Sequence, residues 1–285
     1  MAYELDVDAA AAVFLLPGPD GAFAPEQASY LRALGKRRPS VMLAFAPKAA
    51  GTFLRMAAIY AVDGQLTRVV HAQGGRDATP YMPVYILYLA GGYPSNTLVT
   101  HVHMQALPAN RHFIEAFDLK PAIMLRSVPD MLTSYLDMLA AEPVSPSHWL
   151  NASIPPNFAA MDDATRADFM IDTIMPWYAS YFATWLNYVR EAPERVCVLR
   201  YADLLSDPIY VLQTLLDRSG LPRSGKVCQL AIDAAWQERD TLRFNRGEGG
   251  RGRARLSAAQ LARIEHLLFD YYGLEAWRTE LFPEA

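Results

Sequence analysis

The segment PKAAGT, residues 47–52, places a lysine, small residues and a threonine between an apolar strand-like run and a helix-like run. A strand that leads into a helix leaves backbone N–H groups unpaired at the helix start, where the helix dipole adds partial positive charge. Lys48 adds a full charge and Thr52 a hydroxyl. The segment is therefore either an anion site or a plain strand-to-helix connection with an exposed lysine, and these residues alone favour neither.

One common phosphate-binding loop is absent. The triphosphate-binding pattern GxxxxGK[ST] has its lysine after the glycines, whereas here Lys48 precedes Gly51 and the loop is shorter. This order argues against an ordinary ATPase.

A second group of polar residues lies in AIMLRSVPDMLTSYL, where Arg126 follows an apolar run, and Asp130 and Ser134 follow at intervals of 4 residues. An arginine at a strand end can bind a phosphate with two parallel hydrogen bonds, and a serine on the following helix can donate to the same group. The alternative is a surface ion pair between Arg126 and Asp130, with Ser134 facing solvent.

Two later segments could complete such a site. In VLRYADLLSDP, Tyr201 follows a strand-like run, although interior packing also explains it. The segment LRFNRGEGGRGRARLS alternates glycines with arginines 243, 246, 251, 253 and 255. Glycine lets a backbone wrap an anion and arginine supplies charge, but a disordered tract or a weak nucleic-acid contact has the same composition. Its position just before a well-capped helix favours an ordered loop.

The segment TLVTHVHMQALP offers His101 and His103 as proton acceptors. Residues two apart on a strand share a face, so both imidazoles could reach one site. A structural histidine is the alternative for each, and for His103 it is the favoured one. The pattern H-x-H also suggests a metal, but no third ligand has suitable spacing.

Together these segments resemble the PAPS-dependent sulfotransferases, whose cofactor is 3′-phosphoadenosine 5′-phosphosulfate. P-K-x-x-G-T-x-L is similar to the family's 5′-phosphosulfate loop and R-x-x-x-D-x-x-x-S to its 3′-phosphate motif. The segment LRFNRGEGGRGRARLS resembles the family's late loop, F-x-R-x-G-x-x-G. The stretch T-H-x-x-x-x-x-L-P is similar to the one that carries the family's base. The motifs occur in the family's order over residues 40–270.

The resemblance implies the following roles. His101 would be the base, His103 an alternative base or an acceptor contact, and Lys48 the cation that offsets charge on the leaving group. The residues implied in cofactor binding are Lys48, Ala49, Ala50, Gly51, Thr52, Phe53, Arg126, Ser134, Tyr201, Arg246, Gly247 and Gly250. Arg246 is the expected arginine ligand of the late loop. PAPS would be the co-substrate, and no metal is expected.

The chain departs from the family pattern at a few positions. Ala50 stands where many relatives have glycine, Phe53 where the cytosolic branch often has tryptophan, Ala202 where glutamate is usual, and His103 where proline is common. Ala50 makes the loop less permissive, and Phe53 could still stack on adenine.

The elements that must position these residues alternate between short apolar runs and amphipathic stretches. This pattern predicts an α/β sandwich of three layers, with a central, mostly parallel sheet flanked by helices. The candidate strands are 41–46, 68–71, 97–101, 122–125 and 195–200. Ser257 with Gln260 predicts a capping box, and Asp207, Pro208 and Gly220 predict the limits of another helix. The resemblance implies the P-loop-like sulfotransferase fold.

Composition bounds the remaining possibilities. The 285 residues are 52% hydrophobic with a formal net charge of −4, which predicts a globular protein without a broad basic surface for nucleic acid. We expect a single domain over residues 1–285, with an N-terminal extension at 1–40 and a core at 41–272. Cys197 and Cys228 are too few for a disulfide framework and indicate buried thiols. With no apparent leader or membrane span, a cytoplasmic location is expected.

The acceptor is the least defined part of the prediction. Irregular segments at 73–95 and 142–163 are typical of lids or substrate loops, or of surface insertions. Aromatic and apolar residues in the first segment indicate a hydrophobic or aromatic hydroxylated acceptor, or else a core helix: Tyr81, Met82, Tyr85, Ile86, Tyr88 and Tyr93. Rival functions are a P-loop-type kinase or nucleotide hydrolase, and a non-catalytic nucleotide-binding module. A homodimer is possible.

Overall fold

The computed structural model describes residues 23–67, 69, 80, 82–90, 97–141, 148–149, 152–238 and 249–284. Its strands are β1 (Ser40–Leu43), β2 (Gln65–Thr67), β3 (Leu98–His101), β4 (Ala122–Leu125), β5 (His148–Trp149), β6 (Ala152–Ser153) and β7 (Cys197–Arg200). Strands β2, β3, β1, β4 and β7 form, in that order, a sheet of 5 strands whose pairings are all parallel. The predicted α/β architecture with a central parallel sheet is confirmed.

Helices flank this sheet and cover its ends. They are α1 (Pro25–Arg37), α2 (Gly51–Val62), α3 (Met82–Ala90), α4 (Pro108–Ala116), α5 (Val128–Ala141), α6 (Asp163–Thr173), α7 (Met175–Glu191), α8 (Tyr201–Ser206), α9 (Pro208–Arg218), α10 (Gly225–Gln237), α11 (Arg251–Arg255), α12 (Ala258–Glu265) and α13 (Arg278–Leu281). Short 3₁₀ turns lie at Phe158–Ala160, Pro193–Arg195 and Glu275–Trp277, and a π-helical turn at His266–Tyr271. No described helix is long and apolar enough to cross a membrane.

The predicted strands at 41–46, 97–101, 122–125 and 195–200 each overlap an observed strand, whereas most of the one predicted at 68–71 lies outside the described residues. The second strand lies earlier, at Gln65–Thr67, and Val69 belongs to no strand, while residues 68, 70 and 71 lie outside the described part of the chain. Strand β2 pairs only with β3, and the hydroxyl of Thr67 lies 2.9 Å from that of Thr100. An edge strand with a single apolar residue, Leu66, lacks the apolar run expected of a buried strand.

The predicted helix limits are confirmed. Ser257 Oγ accepts a hydrogen bond from the Gln260 N–H, and Gln260 Oε1 accepts one from the Ser257 N–H at 3.0 Å. These two bonds form the capping box. Asp207 accepts the Tyr210 N–H at 2.9 Å at the start of α9. Gly220 has a φ of 74°, as expected for a residue that terminates a helix.

The segment 73–95 contains a core helix. On α3, Tyr85 and Ile86 are each 1% exposed, and the Tyr85 hydroxyl donates to Ser40 Oγ at 2.7 Å. These residues pack in the core instead of lining an acceptor surface. Tyr81 and Tyr93 lie outside the described residues, as do residues 71–79, 91–96, 142–147 and 150–151. Within 142–163, β5 and β6 form an antiparallel ribbon.

Helix α7 carries aromatic residues that bind the carboxyl-terminal edge of the sheet. Tyr181 donates its hydroxyl to the Ala44 carbonyl, Tyr178 donates to the Pro47 carbonyl at 2.9 Å, and Trp185 donates Nε1–H to the Met104 carbonyl at 2.9 Å. Because these donors are fully buried, each bond also satisfies a polar group that burial would otherwise penalise. The helix therefore fixes the segments that follow β1 and β3.

The cysteines have no accessible thiol. Cys197 and Cys228 are both buried and unpaired, as expected. Burial raises the pKa of Cys197 to about 11 and also raises the pKa of Cys228. A thiol that stays protonated at neutral pH is a poor nucleophile.

Candidate active site

The turn between β1 and α2 has the backbone conformation of an anion-binding loop. Lys48 and Ala50 both have left-handed conformations, with φ of 63° and 61°. Helix α2 begins at Gly51, and its first intrahelical bond runs from the Leu54 N–H to the Ala50 carbonyl at 3.1 Å. The N–H groups of the preceding first turn thus have no intrahelical acceptor, which is the arrangement that attracts anions.

His101 lies against the start of this helix. It ends β3, next to Leu43 of β1, and is 7% exposed. A Cβ atom built on Gly51 would lie 2.3 Å from His101 Nε2, closer than real contacts allow. Glycine is therefore required at position 51 by the approach of the imidazole, and the proposed base and the proposed anion loop meet at this point.

His103 is the neighbour of His101 but has a backbone partner. Its Nδ1 lies 2.6 Å from the Phe45 carbonyl, to which a protonated Nδ1 donates. The imidazole rings of His101 and His103 are 5.0 Å apart in an edge-on arrangement. Since β3 ends at His101, the two rings are brought together by the chain that follows the strand and not by strand periodicity.

Arg126 connects the turn to the second predicted phosphate site. One of its terminal nitrogens donates to the Lys48 carbonyl, and its guanidinium carbon lies 3.9 Å from the centre of the Tyr201 ring. Burial lowers the pKa of Arg126, while Tyr201 and Asp130 act in the opposite direction. An arginine remains charged despite such a shift. Its Nε is buried and has no hydrogen-bond partner among the described residues.

Asp130 and Ser134 are interior residues at the start of α5, with exposures of 5% and 3%. The alternative of a solvent-facing pair is therefore wrong. The Asp130 carboxylate accepts the N–H groups of Gly250 and Gly252, at 2.9 and 2.7 Å. Arg126, Ser134, Tyr201 and Gly250, predicted from separate segments, thus all lie on elements that converge around α5.

The late arginines divide into two groups. Arg246 and Gly247 lie outside the described residues, as does Arg243. The later ones are structural: Arg251 pairs with Asp137 at 2.8 Å, Arg255 with Asp137 at 2.5 Å and with Asp163 at 2.6 Å, and Arg253 donates to the Pro283 carbonyl at 2.6 Å. Residues 251–255 form helix α11, whereas the part of the predicted loop up to residue 248 lies outside the described residues.

Trp236 lies beside Phe53 of the predicted cofactor site, and the sequence analysis did not single it out. It lies in the last turn of α10, is 37% exposed, and packs on Phe53 with ring centroids 5.1 Å apart. Phe53 itself is only 3% exposed, so Trp236 presents the more accessible ring. The only signal in the sequence is an aromatic residue at a helix end just before the arginine-rich segment.

The described residues contain no evident metal site. Among the described ranges, no group of 3 or more His, Cys, Asp or Glu side chains is placed to hold a metal ion.

Comparisons with known proteins identify the fold. No family model matches the chain. No curated protein matches it significantly. Solved structures do match. Mouse sulfotransferase SULT7A1 complexed with PAP aligns with a TM-score of 0.59 at 14% identity, covering 89% of this chain and 92% of that one. Retinol dehydratase in a complex with retinol and PAP aligns with a TM-score of 0.53 at 11% identity, covering 100% and 99%.

A further match is retinol dehydratase in complex with androsterone and inactive cofactor PAP, with a TM-score of 0.52 at 11% identity. This alignment covers 100% of this chain and 98% of that one. The chain therefore has the fold of the PAPS-dependent sulfotransferases, as its motifs predicted.

We expect the change Ala50→Gly to stabilise the protein. An alanine in a left-handed conformation costs about 1–2 kcal/mol, and glycine removes that cost at a smaller entropic penalty, so the free energy of unfolding should rise by about 0.5–1 kcal/mol. Urea denaturation measures this. Ala49→Gly is the control, because Ala49 is fully buried without a positive φ and its change should destabilise. Equal effects of the two changes would contradict the assignment.

The change Gly51→Ala should displace the His101 imidazole. The new methyl group would lie 2.3 Å from Nε2, so we expect a loss of about 1–3 kcal/mol in unfolding free energy and a shifted imidazole in a crystal structure of the variant. Gly225→Ala is the matched control, since Gly225 also begins a helix and its Cβ would meet nothing nearer than 3.9 Å. An unmoved His101 ring in Gly51→Ala would refute the close approach.

Proposed function

We propose that this protein transfers the sulfuryl group of PAPS to a hydroxyl of a small hydrophobic or aromatic acceptor, with His101 as the base. The observation that carries the proposal is the contact between His101 and Gly51 at the start of α2. A proton acceptor and an anion-binding helix N-terminus are what an in-line attack on a bound phosphosulfate requires. Hydrolysis of a nucleoside triphosphate would instead call for a Walker-type lysine, which the turn lacks.

The described residues fit the cofactor at both of its charged ends. Lys48, Thr52 and the first N–H groups of α2 would hold the 5′-phosphosulfate. Arg126 would hold the 3′-phosphate, since its buried Nε has no partner among the described residues, with Ser134 as a hydroxyl donor nearby. Gly250 would complete this side, and Arg246 and Gly247 remain part of the proposal. The PAP in the solved structures of the same fold supports this assignment.

The adenine would lie among aromatic rings. Tyr201 stacks on Arg126, so a base placed near Tyr201 would lie close to the arginine that holds the 3′-phosphate. Trp236 supplies a second ring, which packs on the ring of Phe53. Large aromatic side chains stack on planar bases, and this stacking does not depend on the hydrogen bonds that recognise a particular base.

Catalysis would then rest on positioning and charge. His101 would accept the proton of the acceptor hydroxyl as that oxygen attacks sulfur, and Lys48 would offset the negative charge that develops on the leaving phosphate. The Arg126 bond to the Lys48 carbonyl would hold the lysine backbone in place during the transfer. His103 is the alternative base, and its bond to the Phe45 carbonyl favours a role in positioning instead.

The molecules bound in solved structures of this fold support the proposed acceptor class. Two of the solved structures of this fold contain retinol and androsterone, which are hydrophobic molecules. This agrees with the apolar character of the chain and supports a hydrophobic hydroxylated metabolite. A cytoplasmic location, a single domain over residues 1–285 and the absence of nucleic-acid partners also remain proposals.

Nucleotide binding separates the proposal from its rivals. We expect isothermal titration calorimetry to show that PAP binds without metal, at least about tenfold more tightly than ATP with Mg²⁺. Tighter binding of ATP with Mg²⁺ would favour a kinase or hydrolase. PAP binding without any transfer, in a screen of hydroxyl and phenol acceptors by mass spectrometry, would favour a non-catalytic binding module.

Removal of the base tests the chemistry. With radiolabelled PAPS and an acceptor from that screen, His101→Ala should lower the rate of transfer by about 10²–10⁴-fold, because general base catalysis is lost, while PAP binding is retained. His112→Ala is the control, since His112 is an exposed residue of α4 and should leave the rate unchanged. Near-normal turnover by the His101 variant would eliminate His101 as the base.

A further inference from the structure

The carboxylate of Asp130 occupies an unexpected position for a protein that binds a phosphate there. It is 5% exposed and lies one helical turn from both Arg126 and Ser134. A buried negative charge close to a bound phosphate repels it and weakens binding, unless the same charge also stabilises the site through other contacts. Here its oxygens are both satisfied, since Oδ2 accepts the Gly250 N–H and Oδ1 the Gly252 N–H.

The two glycines are shaped to reach this carboxylate. Gly250 has a φ of 83°, a conformation that other residues rarely adopt. Gly252 packs so tightly that a Cβ there would lie 2.2 Å from the Pro129 carbonyl carbon. Backbone that close is possible only for glycine, so the segment 250–252 is fitted to the start of α5.

Ion pairs extend the contact between α5 and α11 further along both helices. Asp137, two turns after Asp130 on α5, pairs with both Arg251 and Arg255 of α11. The charge of Arg251 also acts on Arg126, which places the start of α11 within electrostatic range of the arginine proposed to bind the 3′-phosphate. The Asp130 bonds are thus the part of this contact nearest to the phosphate site.

We infer that Asp130 is a positioning residue that gives the site its selectivity for a 3′-phosphate. This inference rests on the proposed function. By binding the N–H groups of Gly250 and Gly252, the carboxylate holds the start of α11 against the start of α5 and keeps Gly250 beside Arg126 and Ser134. Asp130 does not itself contact the phosphate. Without this attachment, the groups around the 3′-phosphate lose their fixed geometry, whereas the 5′ site at Lys48 and Gly51 is unaffected.

The test compares ligands that differ only in the 3′-phosphate. In Asp130→Asn, an NH2 group replaces one carboxylate oxygen. This NH2 group faces a backbone N–H donor and cannot accept its hydrogen bond, while the side chain keeps its size. We expect the dissociation constant of PAP, measured by calorimetry, to rise by about tenfold or more, and that of 5′-AMP to stay within about twofold. An unchanged ratio of the two constants would overturn the inference. Tighter PAP binding would overturn it as well, because it would mean that the carboxylate acts only by repelling the phosphate.

Asp137→Asn is the matched control. It weakens the contact between α5 and α11 through the arginine pairs but leaves the glycine bonds intact, so the ratio of PAP to AMP affinity should stay at the wild-type value. An equal fall in this ratio would show that general docking of α11, and not Asp130, sets the selectivity. If the wild-type protein itself shows no preference for PAP over AMP, the proposed function fails. If the wild-type protein prefers PAP and Asp130→Asn keeps that preference, this inference fails but the proposed function does not.

Hydrogen–deuterium exchange of the wild-type chain provides a second test that does not depend on the folding of a variant. The amides of Gly250 and Gly252 should be protected in the free protein, and PAP should increase that protection more than AMP does. Exchange of both amides at the rate of exposed amides would overturn the inference.

Discussion

The hydrogen bond from Arg126 to the Lys48 carbonyl is the interaction on which the organisation of the site depends. It joins the turn after β1 to the chain after β4, which are neighbouring strands of the sheet. Because the same guanidinium lies on Tyr201, the segment after β7 is attached to this point as well. A single half-buried cation thus contacts the chain segments that follow adjacent strands. A charge in such a position is costly unless it is compensated, and an anionic ligand would provide that compensation.

The topology of the sheet explains why this arrangement is possible. With β1 between β3 and β4, His101 at the end of β3 and Arg126 after β4 lie on opposite sides of the turn that begins α2. Ligands of open parallel sheets bind at the carboxyl ends of the strands, where the chain connections on either side diverge. Helix α7 then fixes the edge from outside, since its tyrosines bind the carbonyls of Ala44 and Pro47. The groups proposed to react therefore lie at a strand end and in the turn that begins α2.

The sequence predicted those features that depend on local chemistry. The structure places Lys48 in the turn after β1, Gly51 at the start of α2 and His101 at the end of β3, as expected from the sequence, and their roles stay predictions. Where tertiary contacts decide, the prediction failed or was incomplete. Strand β2 is a short edge strand with a single apolar residue, and α3 looked irregular because proline and glycine surround it. Trp236 becomes visible only through its contact with Phe53.

A crystal structure of the protein with PAP bound tests the central claim most directly. We predict that the 5′-phosphate accepts hydrogen bonds from the backbone of residues 48–52 and that the 3′-phosphate lies against Arg126 and Ser134, with Gly250 alongside. A PAP molecule bound elsewhere, or with its 3′-phosphate in the turn at Lys48, would contradict the account.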